Sequence, residues 1–113
     1  MRGIGFSVIG VLAALLGLVR EAQAGPAVAT RWQEASMTQD ECLKRAEDAI
    51  GRTGFEKLER TGQSRYGSVG DYTAAVRCVT GHGIVFFIVS GPARSQTDGM
   101  AGILFQNFDV KPK

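Results

Sequence analysis

The sequence predicts an α+β fold, a two-layer sandwich in which two helices cover one face of a mostly antiparallel sheet of three to four strands. Two observations lead to this prediction. Residues 71–91 have the pattern of a β-hairpin, and two other stretches place apolar residues at helical spacing. Because the chain has 113 residues and no long linker, we expect a single domain.

The hairpin pairs residues 72–80 with residues 84–90 across a Gly81-His82-Gly83 turn. The second of these strands is apolar at almost every position, which is typical of a strand covered on both sides. Side chains alternate along a strand, so the first strand presents two different faces. One face carries Tyr72, Ala74, Val76 and Cys78, and the other carries Thr73, Ala75, Arg77 and Val79.

Residues 38–50 form the clearest predicted helix. Thr38 is suited to the N-cap, and Glu41 three residues later completes the pattern of a capping box. Gly51 is placed to end the helix, since glycine is the commonest residue just after a helix. A second helix is predicted to begin near Pro92, with an apolar stripe formed by Met100, Ala101, Leu104, Phe105 and Phe108.

The chain has two cysteines, Cys42 on the apolar stripe of the first helix and Cys78 on the first hairpin strand. In an oxidising compartment we expect them to form a disulfide. This bond would bring the face of the strand that carries Cys78 against the helix.

Two further strands are predicted outside the hairpin. Residues 31–36 form a short strand anchored by Trp32, preceded by a small-residue leader, residues 25–30. Residues 55–60 form a charged strand suited to the edge of a sheet. Residues 63–66 are expected to continue that strand on a shifted face.

The first 24 residues have the pattern of a signal peptide, which predicts export to the periplasm or the extracellular space. Arg2 precedes an apolar run, residues 4–19, and Ala22-Gln23-Ala24 matches a cleavage site. The alternative is an uncleaved membrane anchor, but 16 apolar residues fall short of the about 20 that span a bilayer. We therefore expect residues 25–113 to form the mature domain, without a stable membrane anchor.

The charge balance excludes one class of partner. Loss of residues 1–24 leaves 11 basic and 10 acidic residues, a formal net charge of +1. A surface this balanced offers no field to attract nucleic acid.

No catalytic or metal-binding motif emerges from the residues, so we expect no catalytic residue, no cofactor and no metal. Two cysteines and one histidine do not make a zinc site, and neither C-x-x-C nor G-x-S-x-G is present. The alternative is a small periplasmic hydrolase or transferase, which would use His82, Asp71 or Tyr72 near one end of the hairpin.

The passage from the second hairpin strand into the second helix suggests an anion-binding site. Gly91, Arg94 and Ser95 lie where unpaired backbone N–H groups and a guanidinium could meet an anion. The alternative is an ordinary turn that ends in Pro92.

If both helices cover one face of the sheet, the other face exposes apolar surface, which often marks an interface. We expect a protein partner or a second copy of the chain to bind this face. Alternatively, the N-terminal segment folds over it. The candidate interface residues are Trp32, Thr73, Ala75, Val79 and Phe87. The sequence therefore favours a non-catalytic exported binding or interaction module.

Two segments carry a resemblance that covers most of the mature chain. They are TQDECLKRAEDAIGRTGFEKLE, residues 38–59, and the hairpin GDYTAAVRCV…GIVFFIVSGP. With these segments the chain resembles small exported bacterial proteins of unknown function that have a single disulfide and an α+β fold. The resemblance implies a compartment and a fold, and no catalytic role.

Overall fold

The computed structural model describes residues 25–110, so the predicted signal peptide lies outside the described residues. The described chain has five strands and two helices, with a short 3-10 turn at Thr80–His82. In chain order they are β1 (Ala27–Glu34), α1 (Gln39–Thr53), β2 (Glu56–Arg60), β3 (Ser64–Val69), β4 (Tyr72–Val79), β5 (Ile84–Gly91) and α2 (Arg94–Phe108).

The five strands form one sheet in the order β1-β5-β4-β3-β2, and every neighbouring pair is antiparallel. The predicted α+β class is confirmed, but the prediction of three to four strands is too low. The predicted hairpin is the centre of the sheet, as β4 and β5.

Two strand assignments differ from the prediction, and the second of them changes the number of strands. The first strand begins at Ala27, within the stretch predicted to be a leader. The chain also reverses after β2, where the Ser64 N–H donates to Thr61 Oγ1 at 3.1 Å and the Thr61 N–H donates to the Ser64 carbonyl at 3.0 Å. Residues 63–66 therefore do not continue β2. They open a separate strand, β3, which pairs with it.

The first helix begins as predicted and ends later than predicted. Thr38 is the N-cap, and its Oγ1 accepts a hydrogen bond from the Glu41 N–H at 3.1 Å. The helix continues through Gly51 because the left-handed residue that ends it is Gly54, with φ of 100°.

Both helices lie on the same face of the sheet. The disulfide Cys42–Cys78 joins α1 to β4, with the two Cα atoms 6.1 Å apart and both residues fully buried. Phe87 of β5 makes edge-to-face contacts with Phe105 and Phe108 of α2, with centroid distances of 5.4 and 5.2 Å. Cys78 and Phe87 share one face because Cys78 lies opposite Val85, two residues from Phe87.

The predicted disulfide is thus confirmed, and it closes the core between α1 and the centre of the sheet. Neither helix of the described chain is long and apolar enough to cross a membrane.

Candidate functional site

The face of the sheet opposite the two helices is here named the open face. It receives the side chains at alternate positions of the strands. From β1 these are Val28, Thr30, Trp32 and Glu34; from β5, Ile84, Phe86, Ile88 and Ser90; from β4, Thr73, Ala75, Arg77 and Val79; from β3, Ser64, Tyr66 and Ser68. No helix of residues 25–110 covers this face.

An apolar strip runs along the open face where β1 and β5 meet. Trp32 lies directly opposite Phe86 in the register of these strands. Trp32 is 60% exposed, Val28 51% and Phe86 36%. Ile84 and Ile88 extend the strip along β5 and are half-buried. A contiguous patch of exposed apolar side chains marks a binding surface more often than isolated exposed apolar side chains do.

A fixed positive charge borders this apolar strip. Arg77 lies opposite Phe86 on the next strand, β4. Its Nη2 donates to Gln63 Oε1 at 2.6 Å, and its Nη1 donates to Ser64 Oγ at 3.3 Å. Because two hydrogen bonds hold the guanidinium, it offers a pre-positioned partner for an acidic group.

One end of the apolar strip opens into a depression of about 400 Å³. Trp32 and Ile84 supply its apolar wall, and Glu34, Ser36 and His82 supply polar groups. No hydrogen bond in the described chain joins the side chains of Glu34, Ser36 and His82 to one another. The depression therefore has the composition of a binding site for a mixed apolar and polar group, without an assembled acid–base pair.

The residues suggested for a hydrolase or transferase do not come together. Asp71 and Tyr72 precede and open β4, whereas His82 follows its far end. Eight residues of strand at about 3.3 Å each put these ends roughly 25 Å apart. The Tyr72 hydroxyl donates to Gln96 Oε1 at 2.5 Å, on α2. One end of the hairpin therefore carries His82 and the other carries Asp71 and Tyr72, so these candidates cannot act together.

The residues suggested for an anion site make other contacts. Gly91 ends β5 beneath the ring of Tyr72, and Ser95 is exposed in the first turn of α2. The Arg94 guanidinium donates to the Val28 carbonyl at 2.9 Å and lies 3.5 Å from Asp98 Oδ1. It is directed toward the edge of β1 rather than toward the N-terminus of the helix, and it forms an exposed ion pair with Asp98.

Four of the five predicted interface residues lie on the open face. Trp32 and Thr73 are exposed there, and Ala75 and Val79 are half-buried. Phe87 is a correction, because it is fully buried among the helices. The aromatic residue that β5 presents on the open face is Phe86, which the sequence interpretation missed.

The error arises because the sequence interpretation made the turn between the two hairpin strands one residue too short. The sequence interpretation ended the first hairpin strand at Thr80, which would place Thr80 opposite Ile84. In the structure β4 ends at Val79, and Val79 lies opposite Ile84. Since a shift of one residue moves every side chain of a strand to the other face, Phe86 and Phe87 exchange places.

Comparisons with known proteins add no assignment. No protein-family model matches the chain, and no curated protein is similar to it. Within residues 25–110, no group of three or more His, Cys, Asp and Glu side chains is arranged to hold a metal ion. The function must therefore be argued from the open face itself.

Proposed function

We propose that this chain is an exported, non-catalytic interaction module that binds another polypeptide through its open face. One observation carries the proposal: Trp32 and Phe86 lie in register and exposed on a sheet face that neither helix covers. Tryptophan and phenylalanine are enriched in the cores of protein interfaces, where burying them releases water from a large apolar area.

Export is supported by two independent features. The fully buried disulfide between Cys42 and Cys78 is typical of proteins in an oxidising environment. The N-terminal pattern of a charged residue, an apolar run and Ala22-Gln23-Ala24 supports secretion.

The chemistry of the open face also indicates the kind of partner. The apolar strip requires an apolar surface, and the fixed guanidinium of Arg77 favours a partner that carries an acidic group at its rim. The mature chain has a net charge of only +1, so the attraction is local and does not favour a polyanion such as nucleic acid. A protein surface fits this combination best.

The alternative of a small periplasmic hydrolase or transferase has less support. A general base must lie within hydrogen-bond reach of the group it activates. His82 is exposed, and its side chain makes no hydrogen bond to another described side chain, while Tyr72 lies at the other end of β4.

Site-specific photo-crosslinking in cells that export the protein tests the proposal. A benzophenone amino acid would replace Trp32 in one variant and Ile103 in another. Ile103 is the matched control because it is 51% exposed but lies on α2, away from the open face. We expect one dominant protein adduct from position 32 and none from position 103, with its identity read by mass spectrometry. Equal adducts from both positions, or none from position 32, would overturn the proposal.

A further inference from the structure

We infer that β1 pairs antiparallel with β1 of a second copy of this chain, so that the sheet continues across a two-fold axis near Thr30. The inference rests on the proposed function, since it names a partner whose contact includes the apolar strip. It adds a specific surface, the outer edge of β1, that the open face alone does not define.

The two edges of the sheet differ in their protection against further pairing. The edge strand β2 is short, exposed at all five positions and rich in charge, and its register with β3 is interrupted. Lys57 within it has a positive φ of 54°. These are the features by which proteins prevent a sheet edge from pairing. The edge strand β1 has eight residues in unbroken register with β5 and contains no proline or bulge.

Alternate residues of β1 direct their backbone groups outward. The Ala35 N–H donates to the Gly83 carbonyl at 2.9 Å. Because hydrogen-bonded pairs alternate along an antiparallel ladder, the backbone N–H and C=O groups of the odd-numbered residues of β1 point toward β5. Arg94 reaches the Val28 carbonyl from outside at 2.9 Å, which agrees with that assignment. The N–H and C=O groups of Val28, Thr30, Trp32 and Glu34 therefore point away from the sheet.

Two arginine side chains approach this edge in the single chain. Arg94 contacts the Val28 carbonyl, and Arg31 Nη1 contacts the Thr30 carbonyl at a longer 3.3 Å. Both residues are exposed, and a carbonyl oxygen can accept two hydrogen bonds. These contacts occupy two carbonyls without closing the edge, and the outward N–H groups stay available for a strand.

The strand is self-complementary when it pairs antiparallel about Thr30. In this register Trp32 lies opposite Val28 of the second copy, so the two apolar strips join on the open face. The end of β1 that carries Glu34 lies beside the end near Arg94 of the second copy, which places opposite charges together at both ends. A parallel arrangement would instead bring Glu34 next to Glu34 of the second copy.

The helix above β1 leaves room for this pairing. Gly102 faces the β1 edge, since a Cβ there would meet only Arg31 Nη2 at 3.6 Å, and Gly99 has no atom within 4 Å of that position. Ser95, Gly99 and Gly102 are small residues at helical spacing on α2, whereas Arg94 and the Asp98 carbonyl contact β1 beside them. Because α2 packs on both β1 and β5, two copies of it would lie about 10 Å apart across the axis, two strand spacings. That distance equals ordinary helix packing, and it requires the exposed side chains of Arg31 and Arg94 at this edge to turn aside.

Sedimentation of the full chain, recovered after export, tests the inference with three proteins over a range of concentrations. We expect the wild type to form a dimer. Thr30→Pro removes the central N–H without disturbing β5, because that N–H points outward, and Thr30→Ala keeps it. Thr30→Pro loses two central hydrogen bonds and adds two ring clashes, so it should raise the dissociation constant of the dimer by about 100-fold. Thr30→Ala should change this constant by less than about 5-fold.

Cysteine capture keeps the test independent of how well the proline variant folds. Residues opposite each other in a hydrogen-bonded antiparallel pair have Cα atoms about 5.5 Å apart, within the range of a disulfide. Thr30→Cys should therefore form a disulfide-linked dimer under mild oxidation. Glu56→Cys, on the protected β2 edge, should give no disulfide-linked dimer and serves as the control.

The outcomes separate this inference from the proposed function. A wild type that stays monomeric throughout, a dimer unchanged by Thr30→Pro, or equal capture at positions 30 and 56 would overturn pairing at β1. The crosslinking at position 32 would still report whether the open face binds another protein. Adducts to a different protein, with a monomeric wild type, would leave the proposed function standing and this inference refuted.

Discussion

Gly91 ends β5 directly beneath the aromatic ring of Tyr72. A Cβ at this position would lie 2.1 Å from Cδ1 and 2.2 Å from Cε1 of that ring. We predict that Gly91→Ala lowers the free energy of unfolding by about 1–3 kcal/mol, the usual cost of overpacking. The ring would have to turn away and give up its hydrogen bond to Gln96. Urea denaturation measures the change.

Gly51→Ala is the control for that experiment. Gly51 is exposed within α1, and a Cβ there would have no atom within 4 Å. Alanine should stabilise the helix by up to about 1 kcal/mol at such a position. If Gly91→Ala were as stable as the wild type, the close contact with Tyr72 would be refuted.

Glu47 links α1 to the two strands at the β2 edge. Its carboxylate accepts hydrogen bonds from Arg60 Nε at 2.9 Å and from Arg65 Nε at 2.7 Å. The hydrogen bond from Arg60 is the main cause that lowers the pKa of Glu47 below its ordinary value of 4.5; partial burial opposes the shift, and Arg65 adds to it. A carboxylate with a lowered pKa stabilises the folded state above its unfolded pKa. That contribution is lost as the pH falls through the folded pKa.

We therefore predict a pH-dependent effect of Glu47→Gln. At pH 7 the variant should be less stable than the wild type by on the order of 1 kcal/mol, since Arg60 is 60% exposed whereas Arg65 and Glu47 are partly buried. The difference should shrink as the pH falls below 4.5 and through the lowered pKa of Glu47, because protonation then neutralises the wild-type carboxylate as well. Thermal unfolding across this pH range measures it, with Glu59→Gln as a control that removes an exposed carboxylate without an ion pair in the described chain. A stability difference between the wild type and Glu47→Gln that grows as the pH falls would contradict this prediction.

At the level of elements, the disulfide is the covalent link between α1 and the sheet. The two cysteines are 36 positions apart, and closing a loop of that size stabilises a protein by roughly 4 kcal/mol in the chain-entropy view. We predict that the double variant Cys42→Ala, Cys78→Ala loses about 2–5 kcal/mol of unfolding free energy. Denaturant unfolding measures the loss, and the wild type in reductant provides the comparison. A loss below about 1 kcal/mol would show that packing alone holds α1 in place.

Several elements could be predicted from short stretches of sequence because interactions between neighbouring residues specify them. The N-cap at Thr38 depends on one side chain and one N–H three residues later. The β2–β3 turn was missed although Thr61 and Ser64 are also three residues apart, because only the pairing of β3 with β2 distinguishes a reversal of the chain from a strand that continues on a shifted face. The length of the β4–β5 connection was likewise set by pairing, and it decides which phenylalanine faces the helices.

At the level of the whole molecule, the sheet separates two aromatic side chains of opposite roles. Phe87 is fully buried under the helices, whereas Trp32 is 60% exposed on the open face. We predict that Phe87→Ala costs about 3–5 kcal/mol of unfolding free energy. Trp32→Ala should change it by less than about 0.5 kcal/mol, because a largely exposed side chain contributes little to the isolated fold.

Chemical denaturation at protein concentrations low enough to keep the chain monomeric makes this comparison. Phe86→Ala, on the open face beside Trp32, is the control for the loss of a phenylalanine. If Trp32→Ala were as destabilising as Phe87→Ala, the open face would be part of the core and the proposed interaction surface would be wrong.

The amino-acid pattern by itself determined the α+β class, the capped first helix, the central hairpin and the pairing of the two cysteines. Each of these depends on periodicity, on a cap or on the scarcity of cysteine, which are properties of a short stretch or of the composition. The tertiary structure decided the number of strands and the face on which Phe86 and Phe87 lie. These depend on turn lengths and strand register, where one residue reverses every side chain, and only the pairing of distant segments sets them.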